Sequence, residues 1–499
     1  MTSTAAKKRA NARVEFGDWQ TPLDLAREVV EILRRRTPNL ASVLEPTCGQ
    51  GAFLSAAAAA FPTATLVGFD VSESYVREAR ERVPHGRATV EVADFFKVRW
   101  ERILESLPEP ILIIGNPPWV TNSALGVLDG ANLPRKSNFK RHSGLDAMTG
   151  KSNFDISEWM LIRMIEAVHA RRFTLAMLCK ASVARRVMER VASQGWKLEG
   201  DIRAIDARLH FAAAVDAVLL TVRGDGRSDR GRHELRWSAY PSLGAQSAAR
   251  IMGVVEGKTC SDVEAYLKTR QLEGDSEIEW RSGVKHDCSK VMELQVSEDG
   301  LINGLGESVH LERDYVFPLL KGSDLANGRV VARRRVIVTQ RRLGEDTHAI
   351  RTRAPALWQY LQKHRANFEA RKSSIYREQP QFAIFGVGDY SFAPYKVAIC
   401  GLYKRLVFTV VRPVDGQPVM VDDTAYFLPC FSEEEAKVLS LALNGTRASE
   451  FFRARVFWDA KRPISKALLQ ALSLEALLRA EGLVPPLRLV RSQQQVLAF

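Results

Sequence analysis

Apolar positions over the first 225 or so residues alternate between two rhythms: short contiguous runs, and spacings of three or four. Within "TPLDLAREVVEILRRR", Leu25, Val29 and Leu33 fall on one helical face, with Thr21 expected as N-cap and Pro22 in the first turn. "SVLEP" reads as a short buried strand, and "GAFLSAAAAAF" as a helix opening at a glycine. "ATLVGFD" is a second strand, followed by "SESYVREARERV", a helix capped by Ser72. "ATVEVAD" and "PILIIG" supply the third and fourth strands. The helix "ISEWMLIRMIEAV" leads to the fifth strand, "FTLAMLC", and the helix "SVARRVMERVASQGW" to the last two, "GDIRAID" and "VDAVLLTVR". No helix is expected between those two. The alternation predicts an α/β fold: a seven-stranded, doubly wound, Rossmann-like sheet, mostly parallel, with its final strand inserted antiparallel.

The rhythm stops at "RGDGRSDRGRHE" (223–234), which is charged and free of apolar residues. Beyond it come β-type segments rich in aromatics: "RVIVTQRR", "QFAIFGVGDYSF", "YKVAICGLYKRLVFTVV" and "VMVDDTAYFL". Helical spacing returns from Ser432 to Leu478. The expected organisation is a flexible basic arm over 1–13, a catalytic α/β domain over 14–225 and a linker over 226–250. A β-rich or mixed domain with a helical tail fills 251–499.

Charge narrows the class of partner. Lys and Arg number 71 against 58 Asp and Glu, a net +13 over 499 residues, which favours a polyanion and nucleic acid before membrane. No apolar run approaches the ~18 residues that span a bilayer, and the N-terminus lacks the apolar core of a secretory signal. The six cysteines form no C-x-x-C, so reduced thiols in a cytoplasm are expected, and no metal site. "HDC" at 286–288 has no partner pair at ligand spacing.

In open α/β sheets ligands gather at the carboxyl ends of strands, at the switch point, here between the first and fourth strands. Four stretches fall there. "EPTCGQG" follows the first strand, with Glu45 at its tip and Gly49 and Gly51 allowing close backbone approach. Asp70 ends the second strand, 19 residues after Gly51, where a ribose-binding acid would stand. Asp94 ends the third, with Phe95 beside it to cover an adenine ring. "NPPW" ends the fourth. A dinucleotide fingerprint wants a third glycine where Leu54 stands, and no phosphate-cradling G-x-x-x-x-G-K-[ST] exists. A nucleoside cofactor without a pyrophosphate fits better, and S-adenosylmethionine is such a molecule.

"GNPPWV" (115–120) then acquires chemistry. Two prolines end the strand and remove two backbone donors, leaving a rigid corner. An exocyclic amine on a heteroaromatic ring is a weak nucleophile because its lone pair is delocalised. Two acceptors aimed at its hydrogens, the Asn116 side-chain oxygen and the Pro117 carbonyl, draw the nitrogen toward tetrahedral geometry. Pro117 and Pro118 fix the carbonyl's direction, and Trp119 offers a stacking face that holds the base in line with a methyl donor.

At these residues the sequence resembles the class I S-adenosylmethionine-dependent methyltransferases, and more narrowly the γ-class, Taq-type adenine-N6 DNA methyltransferases. The resemblance covers 14–225. It implies that Gln20 and Thr21 contact the cofactor carboxylate, and that "LEPTCGQGAFL", with Glu45, Pro46, Thr47, Cys48, Gly49 and Gly51, forms the cofactor loop. Asp70 with Val71 would take the ribose, "ADFF" the adenine, and "NPPW" would be the catalytic tetrapeptide, Trp119 standing where the family often has Tyr. A second aromatic clamp on the target base is carried over to Phe211. "KSNFD" resembles a short motif whose Lys151, Asn153 and Phe154 would line the base pocket.

An amine inside a duplex is reached only after its nucleotide is flipped out, so something must grip double-stranded DNA. Arg135, Lys136, Lys140, Arg141 and Lys151 lie in a long stretch after Trp119, beside the expected pocket. In the second half, Arg333, Arg334, Arg335, Arg341, Arg342, Lys461 and Arg462 are interleaved with aromatics and are the expected contacts of a target-recognition domain. Asp459-Ala460-Lys461 and the upstream Asp422 and Asp423 fit a nuclease pattern too short to carry cleavage. The expected protein is a cytoplasmic, site-specific DNA methyltransferase, a monomer on DNA, with a separately encoded restriction endonuclease as companion. Cytosine-N4, ribosomal-RNA guanine and protein-glutamine methylation stay open, as does a catalytically silent nucleic-acid-binding module.

Overall fold

The computed structural model describes residues 19–120, 155–227, 231, 234–276, 278–298 and 300–486. The expected arm 1–13 and the residues Arg135, Lys136, Lys140, Arg141, Lys151, Asn153 and Phe154 lie outside the described residues. The chain divides into two compact units, 1–264 and 265–499.

The first unit is built on β1 (Ser42–Glu45), β2 (Thr65–Asp70), β3 (Ala88–Val92), β4 (Ile111–Gly115), β5 (Arg172–Lys180), β6 (Glu199–Ile205) and β7 (Ala217–Asp225). It also contains β8 (Leu235–Tyr240), β9 (Arg250–Val255) and β10 (Lys258–Cys260). Their order across one sheet is β10-β9-β8-β6-β7-β5-β4-β1-β2-β3. β3, β2, β1, β4 and β5 run parallel, and β7 enters antiparallel between β5 and β6, as expected of the final strand. The order reverses at β1 and β4, which places the switch point where the motifs gather.

The helices are α1 (Leu23–Arg36), α2 (Ala52–Ala60), α3 (Glu73–Arg82), α4 (Trp100–Ser106), α5 (Ile156–Val168), α6 (Ala181–Gln194) and α7 (Ala207–Phe211). Leu25, Val29 and Leu33 of α1 are buried on one face, and Ser72 caps α3 by accepting from the Tyr75 amide. Thr21 does not cap α1. Pro22 holds the N-cap position with extended backbone, and no side chain closes that end. The short helix α7 separates β6 from β7, where none was expected.

The expected linker 226–250 is not one. Leu235, Trp237 and Ala239 of β8 are buried, and β8 pairs parallel to β6. The charged run 223–234 starts as the last residues of β7 and precedes β8 in the chain. The first unit therefore ends at Glu264 rather than near 225, and the second begins at Ala265 rather than 251.

The second unit holds a four-stranded sheet, with strands Arg281–Ser282, Ala425–Cys430, Tyr395–Cys400 and Thr409–Val411 in that order, and a six-stranded sheet. Helices at Glu433–Leu443, Thr446–Arg455, Lys466–Gln470 and Leu474–Ala480 form the expected tail. "QFAIFGVGDYSF" is not a strand. Phe382 takes a left-handed backbone at φ 62° and Gly386 one at φ 68°, which break the extension although Phe382 and Ile384 are fully buried. All six cysteines are free and buried. Among the described residues no helix is long and apolar enough to cross a membrane.

Candidate active site

Four strand tips converge on a cavity of about 420 Å³. The first contributes a loop whose shape depends on two glycines. Gly49 sits at φ 47° and Gly51 at φ 76°, both left-handed. A Cβ on Gly49 would run into the Gln20 side chain, and one on Gly51 would lie 2.8 Å from the Ala79 Cβ. The glycines thus admit protein neighbours, and Gly51 itself does not line the cavity.

Polar groups fix that loop from three sides. The Gly49 amide donates to Asp70 Oδ2 at 2.8 Å and the Ser72 amide to Asp70 Oδ1 at 2.9 Å. Gln20 Oε1 accepts from the Gln50 amide at 3.0 Å. Glu45 is buried, and its Oε2 accepts from the Leu54 amide at 3.1 Å, closing the start of α2, where Gly51 has no side chain to do so. Burial drives the Glu45 carboxyl well above the usual carboxylate range; the Leu54 bond opposes this and the Asp70 charge adds to it.

Gln20, Thr21, Pro46, Thr47 and Cys48 line the cavity alongside Glu45, Gly49 and Asp70. Val71 joins them, 56% exposed, as bare apolar surface at the rim. Asp94 Oδ1 accepts from the Phe96 amide at 3.0 Å, and Oδ2 lies 3.3 Å from the Lys97 ammonium. Phe95 lines the cavity but is buried against Trp100, at 4.8 Å between ring centroids, and Phe96 packs on Trp159 at 5.1 Å. Phe95 and Phe96 thus give the cavity an aromatic wall, backed by Trp100 and Trp159.

Asn116 stands at the tip of β4 and faces the same cavity. Its Nδ2 donates to the Trp19 carbonyl at 2.7 Å, which fixes the amide's orientation. Its Oδ1 is buried and has no hydrogen-bond partner among the described residues. A buried acceptor without a donor is costly, and such a group asks for an explanation in function. Pro118 lines the cavity and Pro117 is buried behind it.

Trp119 departs from the expected picture. It is buried, donates from Nε1 to the Leu178 carbonyl at 3.3 Å, and meets Phe211 edge to face, with centroids 5.2 Å apart at 70°. The two expected base clamps are therefore brought together, but touching. A base between parallel rings needs two contacts of ~3.5 Å, or about 7 Å in all, so the rings must part to admit one.

Trp19, Tyr75, Ile156 and Met160 also line the cavity and were missed from sequence. Trp19 acts through a main-chain carbonyl, which no residue type advertises. Ile156 and Met160 read as ordinary core positions of α5.

A family profile described as a methyltransferase domain matches residues 43–103, which include β1, the glycine loop, β2 and β3. The type II methyltransferase M.NspV of Nostoc sp. (strain ATCC 29411 / PCC 7524) is 43% identical over 472 residues, 93% of this chain and 97% of its own. The chain belongs to the type II methyltransferases. Among solved structures, the type IIL restriction-modification enzyme MmeI in complex with DNA aligns with TM-score 0.49 and 13% identity, over 97% of this chain and 76% of its own. TrmN from Thermus thermophilus aligns with TM-score 0.25 and 15% identity, over 39% of this chain and 48% of its own. The methyl donor of this methyltransferase is S-adenosylmethionine. The cavity's donor set suits it: carboxylates at the tips of β2 and β3, an aromatic wall, and an orphan acceptor at the tip of β4.

In the second unit Arg333 is exposed, and Arg334 lies 3.8 Å from Asp324. Arg335 lies 4.0 Å from Asp415, Arg341 covers the Phe392 ring at 4.6 Å, and Arg342 pairs with Asp389 at 3.0 Å. Neighbouring positions on a strand point to opposite faces, so Arg334 and Arg335 do not form one surface. Lys461 is exposed, and Arg462 reaches the Tyr426 hydroxyl at 3.5 Å. Asp422 is buried, accepting from the Gly322 amide and the Thr424 hydroxyl, and Asp423 lies 3.5 Å from Lys285. Both acids of the short nuclease pattern's upstream half are thus engaged within the protein.

Proposed function

We propose that this methyltransferase acts on double-stranded DNA at a specific site, transferring a methyl group to the N6 amine of a flipped-out adenine as the modification arm of a restriction-modification system. The observation that carries this reading is the orphan Oδ1 of Asn116, a residue that lines the cavity at the switch point and whose Nδ2 is anchored on the Trp19 carbonyl. The relative is a type II methyltransferase, and the chain's net charge of +13 suits a polyanionic substrate.

Gln20 and Thr21 would hold the donor's carboxylate, Asp70 its ribose and Asp94 with Phe95 its adenine. When bound, S-adenosylmethionine supplies an electrophilic methyl on a sulfonium; the S–C bond breaks as the N–C bond forms, leaving a neutral thioether. Asn116 Oδ1 and the Pro117 carbonyl accept the two amine hydrogens and concentrate the lone pair on nitrogen. The methylated nitrogen then releases one proton to water. Trp119 and Phe211, once parted, would grip the base on its two faces.

Long-read methylation calling on DNA from cells expressing the chain tests base, position and sequence context together. The expected result is N6-methyladenine in one recurring context. Asn116→Ala should lose at least ~10²–10³ in turnover while binding of S-adenosylmethionine, measured by calorimetry, survives. Wild-type rates in Asn116→Ala would overturn the mechanism. Modified ribosomal RNA or a glutamine side chain, with DNA untouched, would overturn the acceptor.

A further inference from the structure

The corner that carries Asn116 is short of its own fastenings. Pro117 and Pro118 have no amide hydrogens, so its backbone can be tied only through carbonyls and through neighbouring groups. One end is held where Asn116 Nδ2 donates to the Trp19 carbonyl at 2.7 Å. The other end is held from β5. Lys180, the last residue of that strand, donates from Nζ to the Trp119 carbonyl at 2.8 Å and to Asp155 Oδ2 at 2.7 Å. Two residues earlier on β5, the Leu178 carbonyl accepts the Trp119 indole at 3.3 Å. The Ile156 amide donates to the Val120 carbonyl at 2.9 Å, bringing the start of α5 to the same point.

The remaining oxygen of Asp155 is occupied as well. Oδ1 accepts from the Ser157 amide at 3.1 Å and the Ser157 hydroxyl at 2.6 Å, capping α5. One carboxylate therefore anchors a helix with one oxygen and a lysine with the other. The Asp155 side chain is 4% exposed and that of Lys180 24%, so both charges are largely desolvated. A buried ion pair is a poor source of net stability, and setting a register is its best-attested use.

We propose that Lys180 is a positioning residue for methyl transfer: its ammonium, shared between the Trp119 carbonyl and the Asp155 carboxylate, sets the Asn116–Trp119 corner against the tip of β5. The two prolines make the corner stiff, so a displacement at Trp119 is passed to Asn116 instead of being absorbed between them. An error of ~1 Å in a reacting group's placement can cost ~10²-fold in rate. The inference rests on methyl transfer at Asn116 as proposed above.

The test uses the full chain, with Lys180→Met, Lys180→Arg and Asp155→Asn. Asp155→Asn keeps an acceptor for Ser157 while removing the charge that faces Lys180. Turnover on substrate DNA, KM for DNA, calorimetric affinity for S-adenosylmethionine and Tm are measured together. For Lys180→Met the expected result is a fall of ~10²-fold in kcat with donor affinity within about twofold of wild type. Lys180→Arg recovers part of the rate, and Asp155→Asn falls between. A folded Lys180→Met chain with kcat within about threefold of wild type overturns the proposal, as does a loss confined to Tm or to KM. Should Lys180→Met fail to fold, Asp155→Asn decides on the same readings: a lowered kcat supports the pin and an unchanged one removes it. A wild-type chain inert on DNA would instead refute the acceptor and the pin with it, whereas an active wild type matched by its variants refutes the pin alone.

Discussion

Glu45 shows how a single side chain can look like a ligand group and work as a fastening. Its place at the tip of β1 suggests a carboxylate offered to the cofactor, and it does line the cavity. One oxygen, however, is committed to the Leu54 amide nine residues on, and the group is 2% exposed. That partner could not be read from sequence, because a helix start without a capping side chain does not announce who closes it. The consequence is measurable. Burial raises the folded-state pKa of Glu45, so its contribution to stability is fully present below about 4.5 and is lost as pH rises toward the raised value. Glu45→Gln keeps an acceptor and carries no charge. Its Tm should match or exceed that of wild type at pH 7–8, with the advantage shrinking toward pH 4.5 in parallel melts. An advantage independent of pH would show that Glu45 is not the titrating group. Asn116, by contrast, was legible from its tetrapeptide, although its anchor at Trp19 was not.

At the scale of elements, the alternation of strands and helices up to β7 was plain because β1, β4 and β5 are largely buried apolar runs, and helices with one buried face stand between the strands. The strands beyond β7 were obscured by the charged run of sequence that precedes them. Leu235, Arg236 and Trp237 alternate inward and outward with the period of a strand, but the six residues of β8 are few beside twelve charged and small ones. Trp237 is fully buried, donates to the Leu198 carbonyl at 3.2 Å, and fits only because residue 200 is a glycine. Without β8–β10 the edge of β6 would be bare, and bare edges pair with other chains. A chain ending at Asp225 should therefore aggregate, while one ending at Glu264 should melt cooperatively and bind S-adenosylmethionine. Trp237→Ala in the full chain should cost about 3–5 kcal/mol, as for other buried large aromatics. A soluble, cofactor-binding chain ending at Asp225 would contradict this account of the boundary.

For the whole molecule, the net charge of +13 says more about partners than any one cluster does. The run Arg333–Arg342 looked uniform in sequence, yet ion pairing divides it: Arg342 is matched to Asp389, while Arg333 is exposed and Arg341 lies over a ring. A sequence gives charges without their partners, which is why this half of the chain was legible only as basic and β-rich. If these residues meet phosphates, replacing Arg333 and Arg341 by Gln should flatten the plot of log affinity against log salt by ~0.9 for each phosphate left without its cation. Arg342→Gln should change it less. Anisotropy titrations of DNA across a range of KCl would show this, and an unchanged slope would move the backbone grip elsewhere.

The sealed thiols have a practical meaning at this same scale. Cys48 lies in the loop beside Gly49, and burial raises its thiol, as it does those of Cys179, Cys288 and Cys400, so none of these is readily a nucleophile while the chain is folded. Alkylating reagents then become a clock for opening: each adduct records a molecule that has come apart. Because Cys48 borders the cavity proposed for the donor, its rate of tagging with and without S-adenosylmethionine should report on occupancy there without any need for turnover.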